Sequence, residues 1–206
     1  MKKILIFLPI LLVLIGCSDD LEYIPPAPPP YNFTFQLDSA LNGSGTRALA
    51  KDKAGYYHMK LSEYTFQTFS RITGKFLWNG KPNPRPSPVE CWIEWKSSHY
   101  WVLNNKTNLF VVYKTYFNEF TGKLTTSELG TFKSQSNQLI PTVNGSSYPS
   151  STDGSINTVF APIYYMVGDT ITVTAIAHIN KEIPTSNLFV RMQKDSLERK
   201  VRFICE

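Results

Sequence analysis

The chain has 206 residues, of which 14% are aromatic and 18% charged, and its formal net charge is +5. Without Lys2 and Lys3, which fall in a segment read below as removed, the balance is 19 − 16 = +3, too small to point to a polyanionic partner such as nucleic acid. Many Phe, Tyr and Trp residues beside 14 prolines favour a strand-rich exported domain and argue against a helical one.

Two lysines open the chain, and twelve residues from Ile4 to Ile15 follow that are apolar apart from Pro9. This is a positive n-region and an h-region too short to span a bilayer as a mature helix. Gly16 then stands directly before Cys17, and no A-x-A-like site of an ordinary secretory signal is present. The run Leu14-Ile15-Gly16-Cys17 resembles the lipobox of bacterial lipoproteins. The resemblance implies cleavage before Cys17, a diacylglycerol on its thiol, and membrane attachment without a transmembrane helix. Two or more acyl chains suffice for stable anchoring, whereas one is marginal. The acidic run Ser18-Asp19-Asp20-Leu21-Glu22 resembles the export signal of surface-exposed lipoproteins in Bacteroidetes, an ordinary solvated tether being the alternative. Prolines 25, 26, 28, 29 and 30 make the next segment extended and semi-rigid. Thirteen residues at ~3.1 Å each hold the domain about 40 Å from the bilayer. The expected division is therefore a signal peptide over 1–16, a lipidated tether over 17–30 and a folded domain over 31–206. The expected location is the outer membrane, lipid-anchored, at the cell surface.

The folded region opens on Tyr31, Phe33, Phe35 and Leu37, which alternate with polar residues as a strand does. Residues 47–53 read as a short helical turn. Strands are expected over 56–61, 64–72 and 75–78, with Asn79-Gly80 as a turn. Prolines 82, 84, 86 and 88 exclude a paired central strand and imply an extended loop. The strand over 89–95 puts Cys91, Ile93 and Trp95 on one face, and Glu90, Trp92, Glu94 and Lys96 on the other. Strands over 100–103, 109–117 and, more weakly paired, 124–132 follow. Residues 134–158 are polar and show no evident element, which marks either a functional loop or a missed short strand near Leu139-Ile140. After the apolar run 159–167 and a turn at Gly168-Asp169, residues 170–179 alternate cleanly, with Ile171, Val173, Ala175, Ala177 and Ile179 on one side. Segments 188–192 and 200–205 finish the sheet. Many short strands at regular spacing imply an all-β sandwich or barrel. The stretch from Met166 to Val173 resembles strand openings of bacterial immunoglobulin-like domains, so the expected fold class is an immunoglobulin-like β-sandwich.

Few residues announce chemistry. Once Cys17 is lipidated, Cys91 and Cys205 remain. Both lie on the apolar parity of their strands, and an oxidising compartment favours a bridge between them over two separate buried thiols. Three scattered histidines and two cysteines offer no metal-ligand spacing, and no cofactor motif occurs. No catalytic motif occurs either. Glu90 and Glu94 lie roughly 13 Å apart along one strand, beyond the reach of a glycosidase pair. His178 lies on the polar face of its strand and reads as simply solvated. Trp92 differs from Trp78, Trp95 and Trp101 because its strand face is otherwise charged. An indole there suits stacking on a sugar ring or an aromatic partner, particularly if Tyr100 or Tyr116 lines up beside it, and burial under a second layer is the alternative. Asp38-Ser39, Asp169-Thr170 and Asp195-Ser196 open short patterns resembling the O-glycosylation sites of Bacteroidetes exported proteins, although such pairs are also ordinary turn and cap residues. The expected function is non-catalytic binding or assembly, with a glycan or an envelope protein as partner and the membrane reached through Cys17. A surface hydrolase with its site near residues 134–158 is the alternative.

Overall fold

The computed structural model describes residues 32–82, 89–133, 139–143, 145–184 and 190–206. The segments expected as signal peptide and tether, with Cys17, lie outside the described residues, as does most of the run expected as a proline-rich loop. Eleven strands are formed among those described: β1 Phe33–Asn42, β2 Tyr57–Met59, β3 Ser70–Trp78, β4 Val89–Ser97, β5 His99–Asn104, β6 Leu109–Asn118, β7 Lys123–Phe132, β8 Ser146–Ser147, β9 Ser155–Phe160, β10 Thr170–Pro184 and β11 Val190–Cys205. A three-stranded sheet in the order β1-β3-β9 packs on a five-stranded sheet in the order β2-β11-β10-β4-β8, and β5-β6-β7 form a separate meander. The protein is an all-β sandwich, and among the described residues no helix is long and apolar enough to cross a membrane.

The alternation in the sequence explains the layers. Ile171, Val173, Ala175, Ala177 and Ile179 of β10 are all essentially inaccessible to solvent, and Cys91, Ile93 and Trp95 of β4 are buried beside them. From the facing sheet come Phe35, Ile72, Phe76, Ile156 and Phe160, and Phe160 meets Phe203 of β11 at a ring-centroid distance of 4.3 Å. Area removed from water drives this contact, and aromatic pairing adds to it. Gly74 sits inside β3 because β1 comes too close for a side chain. A Cβ there would lie 2.4 Å from the carbonyl oxygen of Gln36, beside the bulge between Leu37 and Ser39. The short strand β2 pairs in parallel with the end of β11, and its His58 is held by the carboxylates of Asp52 and Glu206.

Several expected elements are redrawn. Residues 47–53 form no helix, because Ala48 and Lys51 bridge to Leu41 and Tyr57 as extended backbone. The two strands expected over 64–72 and 75–78 are one strand, β3, which begins only at Ser70. Segment 124–132 pairs with β6 along its length apart from a bulge at Leu129. The polar stretch 134–158 contains β8 and the start of β9. Its 139–143 portion is tied down by buried Gln67, whose Nε2 donates to the carbonyls of Ile140 and Ala161 while its Oε1 accepts from the Ile140 N–H. The two C-terminal strands are a single long strand, β11.

The expected Cys91–Cys205 bridge is not formed, and both thiols are free and buried. Sheet register is the reason. Cys91 stands opposite Ile179, whereas the Cys205 N–H donates to the Asp169 carbonyl, ten residues away along β10. At ~3.3 Å per residue that separates them by about 30 Å, far beyond disulfide reach. Shared inward parity was correct and insufficient. Burial pushes both thiols up to about 12, so neither is nucleophilic at neutral pH. Both cysteines should therefore resist alkylation in the native protein and react fully in denaturant without reductant. Mass mapping that finds a linked Cys91–Cys205 peptide would contradict the register.

Candidate functional site

The outer face of the five-stranded sheet is built by the residues that alternate with the core. Cross-strand pairing arranges β4, β10 and β11 in rows: Trp92, His178 and Ser196; then Glu94, Ile176 and Glu198; then Lys96, Thr174 and Lys200. Thr172 and Arg202 make the next row. None of these side chains is buried, so the second layer of the sandwich does not cover this face.

Trp92 is half-buried and its ring stacks on the imidazole of His178, with centroids 5.0 Å apart and planes 17° from parallel. His178 Nε2 lies 2.8 Å from Glu94 Oε2, and Lys96 Nζ donates to Glu94 Oε1 at 3.0 Å. These two hydrogen bonds, that of His178 foremost, hold the Glu94 carboxyl below its ordinary range. The chain Trp92–His178–Glu94–Lys96 thus fixes a flat aromatic platform on the sheet. His178 was read from the sequence as merely solvated, and its outward parity was legible. Its place directly opposite Trp92 was not, since pairing register is set by the folded sheet. Tyr100 and Tyr116 do not join the platform. Tyr100 stacks on Tyr113 within the meander, and Tyr116 lines a groove farther along the face. Glu90 and Glu94 stay apart, Glu90 accepting from Asn180 Nδ2 at 3.3 Å.

That groove, of about 590 Å³, lies where the meander rises beside the sheet. Ser98, between β4 and β5, is the joint. Its N–H donates to the Thr172 carbonyl at 2.9 Å, its Oγ accepts the Thr172 N–H at 2.9 Å, and its carbonyl accepts the Thr115 N–H at 2.7 Å. Two strands, β10 and β6, are thereby fixed to one residue. Lys96, Lys114, Lys200 and Arg202 line the groove together with Tyr116 and Phe117, and no carboxylate is among its described lining residues. Lys114 is ion-paired with Asp169 from the turn before β10.

Ser98, His99 and Asp169 bring together the residue types of a hydrolytic triad. Ser98 Oγ lies 2.9 Å from His99 Nδ1, and His99 Nε2 faces Asp169 Oδ2 at 3.4 Å without a hydrogen bond. The arrangement is structural. Ser98 Oγ already accepts a backbone N–H, and the imidazole is wholly buried, so it cannot meet a substrate's leaving group. Burial, the largest influence on His99, lowers its pKa, opposed in part by the Asp169 charge and aided by Lys114. A second cleft, of about 650 Å³, lies between the end of β3 and residues 151–152, and its lining of Trp78, Asn79, Lys81, Pro82, Ser151 and Thr152 offers no acid–base pair.

A lowered pKa means that the unfolded chain binds more protons than the native one as pH falls through the ordinary histidine value of about 6.5. His99 therefore stabilises the fold above that pH, and its contribution is lost as pH falls toward its native pKa. His58, raised chiefly by Glu206, works in the opposite sense: its contribution is full below that pH and is lost as pH rises through its native pKa. Melting temperature measured from pH 8 to 5 should fall less steeply on the acid side for His99→Gln than for wild type, and more steeply for His58→Gln. Parallel curves for all three would remove both assignments.

Searches against protein-family models, curated proteins and solved structures find no match to this chain.

Proposed function

We propose that the chain is a lipid-anchored protein of the outer-membrane surface whose sandwich binds a glycan without catalysing its turnover. The observation that carries this reading is the Trp92–His178 platform, held flat by Glu94 and Lys96 on a sheet face that the sandwich leaves uncovered. An aromatic face offers dispersion and C–H contact to a sugar ring, and the surrounding carboxylates, amide and hydroxyls supply hydrogen bonds to its hydroxyl groups. An envelope-protein partner is the other occupant this face would suit, but a small platform among polar groups fits a sugar better than an apolar protein interface, whose core is large and depleted of charge. The surface-hydrolase alternative near residues 134–158 draws no support from the adjoining cleft, whose described lining residues include no acid–base pair. The immunoglobulin-like form of the sandwich belongs to the same proposal and rests on the strand opening from Met166 to Val173.

Two experiments test it. Trp92→Ala should weaken glycan binding at least several-fold while destabilising the fold by only about 1 kcal/mol, the scale of one aromatic stacking contact. A stability loss of roughly 3–5 kcal/mol, as for a core aromatic, would make Trp92 structural and leave the platform without a role. The anchoring reading rests on Cys17 instead. Cys17→Ala should leave the protein unacylated and move it from the membrane fraction to the soluble fraction, whereas continued partition of the variant into detergent phase would refute lipidation.

A further inference from the structure

We infer that the ligand is an acidic glycan bound in one orientation, with a neutral ring on Trp92 and an acidic group in the groove. This rests on the platform reading above and adds the charge and polarity of the ligand. Four residues along β4 separate Trp92 from Lys96, or about 13 Å, so one short oligosaccharide covers both. The groove at the far end is amphipathic. Lys96, Lys114, Lys200 and Arg202 give it a cationic wall, and Tyr116 and Phe117 give it an aromatic one. A sugar acid has the same two sides, an anionic group and an apolar ring face.

The cations are not all idle. Lys96 pairs with Glu94 at 3.0 Å, Lys200 with Glu198 at 2.8 Å and Lys114 with Asp169, while the Arg202 guanidinium lies 5.6 Å from the Tyr56 ring centroid. The Lys200–Glu198 pair is about half exposed on both sides and holds weakly. Lys200 can therefore turn to an incoming anion, while Lys96 stays on Glu94 as support for the platform and adds its charge from there. Their carboxylate partners have a second consequence. Glu94 and Glu198 share the row between the platform and the groove. That row repels an acidic group and accepts hydrogen bonds from neutral hydroxyls. The face thus carries an aromatic row, an acidic row and a basic row in succession. It selects a glycan whose acidic groups are spaced by neutral units and disfavours one charged on every ring, because discrimination comes from the repulsive element as much as from the attractive one.

The test uses the full-length protein, purified in detergent, and three probes in calorimetric titrations: hyaluronan oligosaccharides, which alternate a uronate with a neutral N-acetylhexosamine; the same oligosaccharides with their carboxyls reduced; and oligogalacturonate, charged on every ring. Hyaluronan should bind most tightly. Its affinity should fall roughly tenfold in Lys200→Ala/Arg202→Ala, a variant of exposed side chains that should melt like wild type, and by a similar factor on carboxyl reduction. Glu198→Gln should tighten oligogalacturonate several-fold by removing repulsion. If the reduced form binds as well as hyaluronan, and the double variant changes nothing while Trp92→Ala still weakens binding, the acidic-ligand inference is wrong and the platform survives. If none of the probes binds wild type, or Trp92→Ala leaves affinity unchanged, the platform reading falls and this inference with it.

Discussion

β10 is hydrogen-bonded along both edges, to β4 over nine residue pairs and to β11 over fifteen. Its register cannot shift without breaking both ladders, and a shift of one residue would exchange its two faces. One face carries Ile171, Val173, Ala175, Ala177 and Ile179 into the core, and the other presents Thr172, Thr174 and His178 outside. The alternation that builds the core therefore also lays out the outer face. Ala175 and Ala177, small residues at the middle of the buried set, stand opposite the bulkier Trp95 and Ile93 of β4, small against large as close packing of the layer requires.

The second constraint is the joint at Ser98. A sheet edge followed by a meander would ordinarily leave the two free to move against each other. Here one serine satisfies backbone groups of β10 and β6, and the Lys114–Asp169 pair closes the angle from the other side. Buried His99 fills the corner beneath them in its neutral form. At its other end the meander is fastened by aromatics, with Phe132 stacked on Phe110 and Tyr165 and tilted against Phe66. The groove is the space these fastenings hold open. At its rim the β6–β7 hairpin carries Phe117, Phe120 and Leu124 into solvent, an apolar edge that nothing among the described residues covers.

Much of the fold was legible locally. Period-two alternation located β1, β4 and β10, and inward parity identified Cys91, Ile93 and Trp95 as core. Where strong local signals were lacking, the outline failed. Gly74 looks like an interruption of a strand but instead accommodates the close approach of β1. Residues 139–143 and β8 lack apolar alternation because they are held by the amide of Gln67 and by short pairing to β4, contacts distant in sequence.

For the candidate site, the sequence by itself determined which side of each strand a residue would occupy, because side-chain direction alternates residue by residue along a single strand. That was enough to set Trp92 among charged neighbours and away from the core. Only the tertiary structure decided what stands beside it. Cross-strand neighbours follow from register between strands far apart in the chain, which placed His178 on Trp92, gathered four cations from three strands into one groove, and held Cys91 and Cys205 about 30 Å apart on the same side of one sheet.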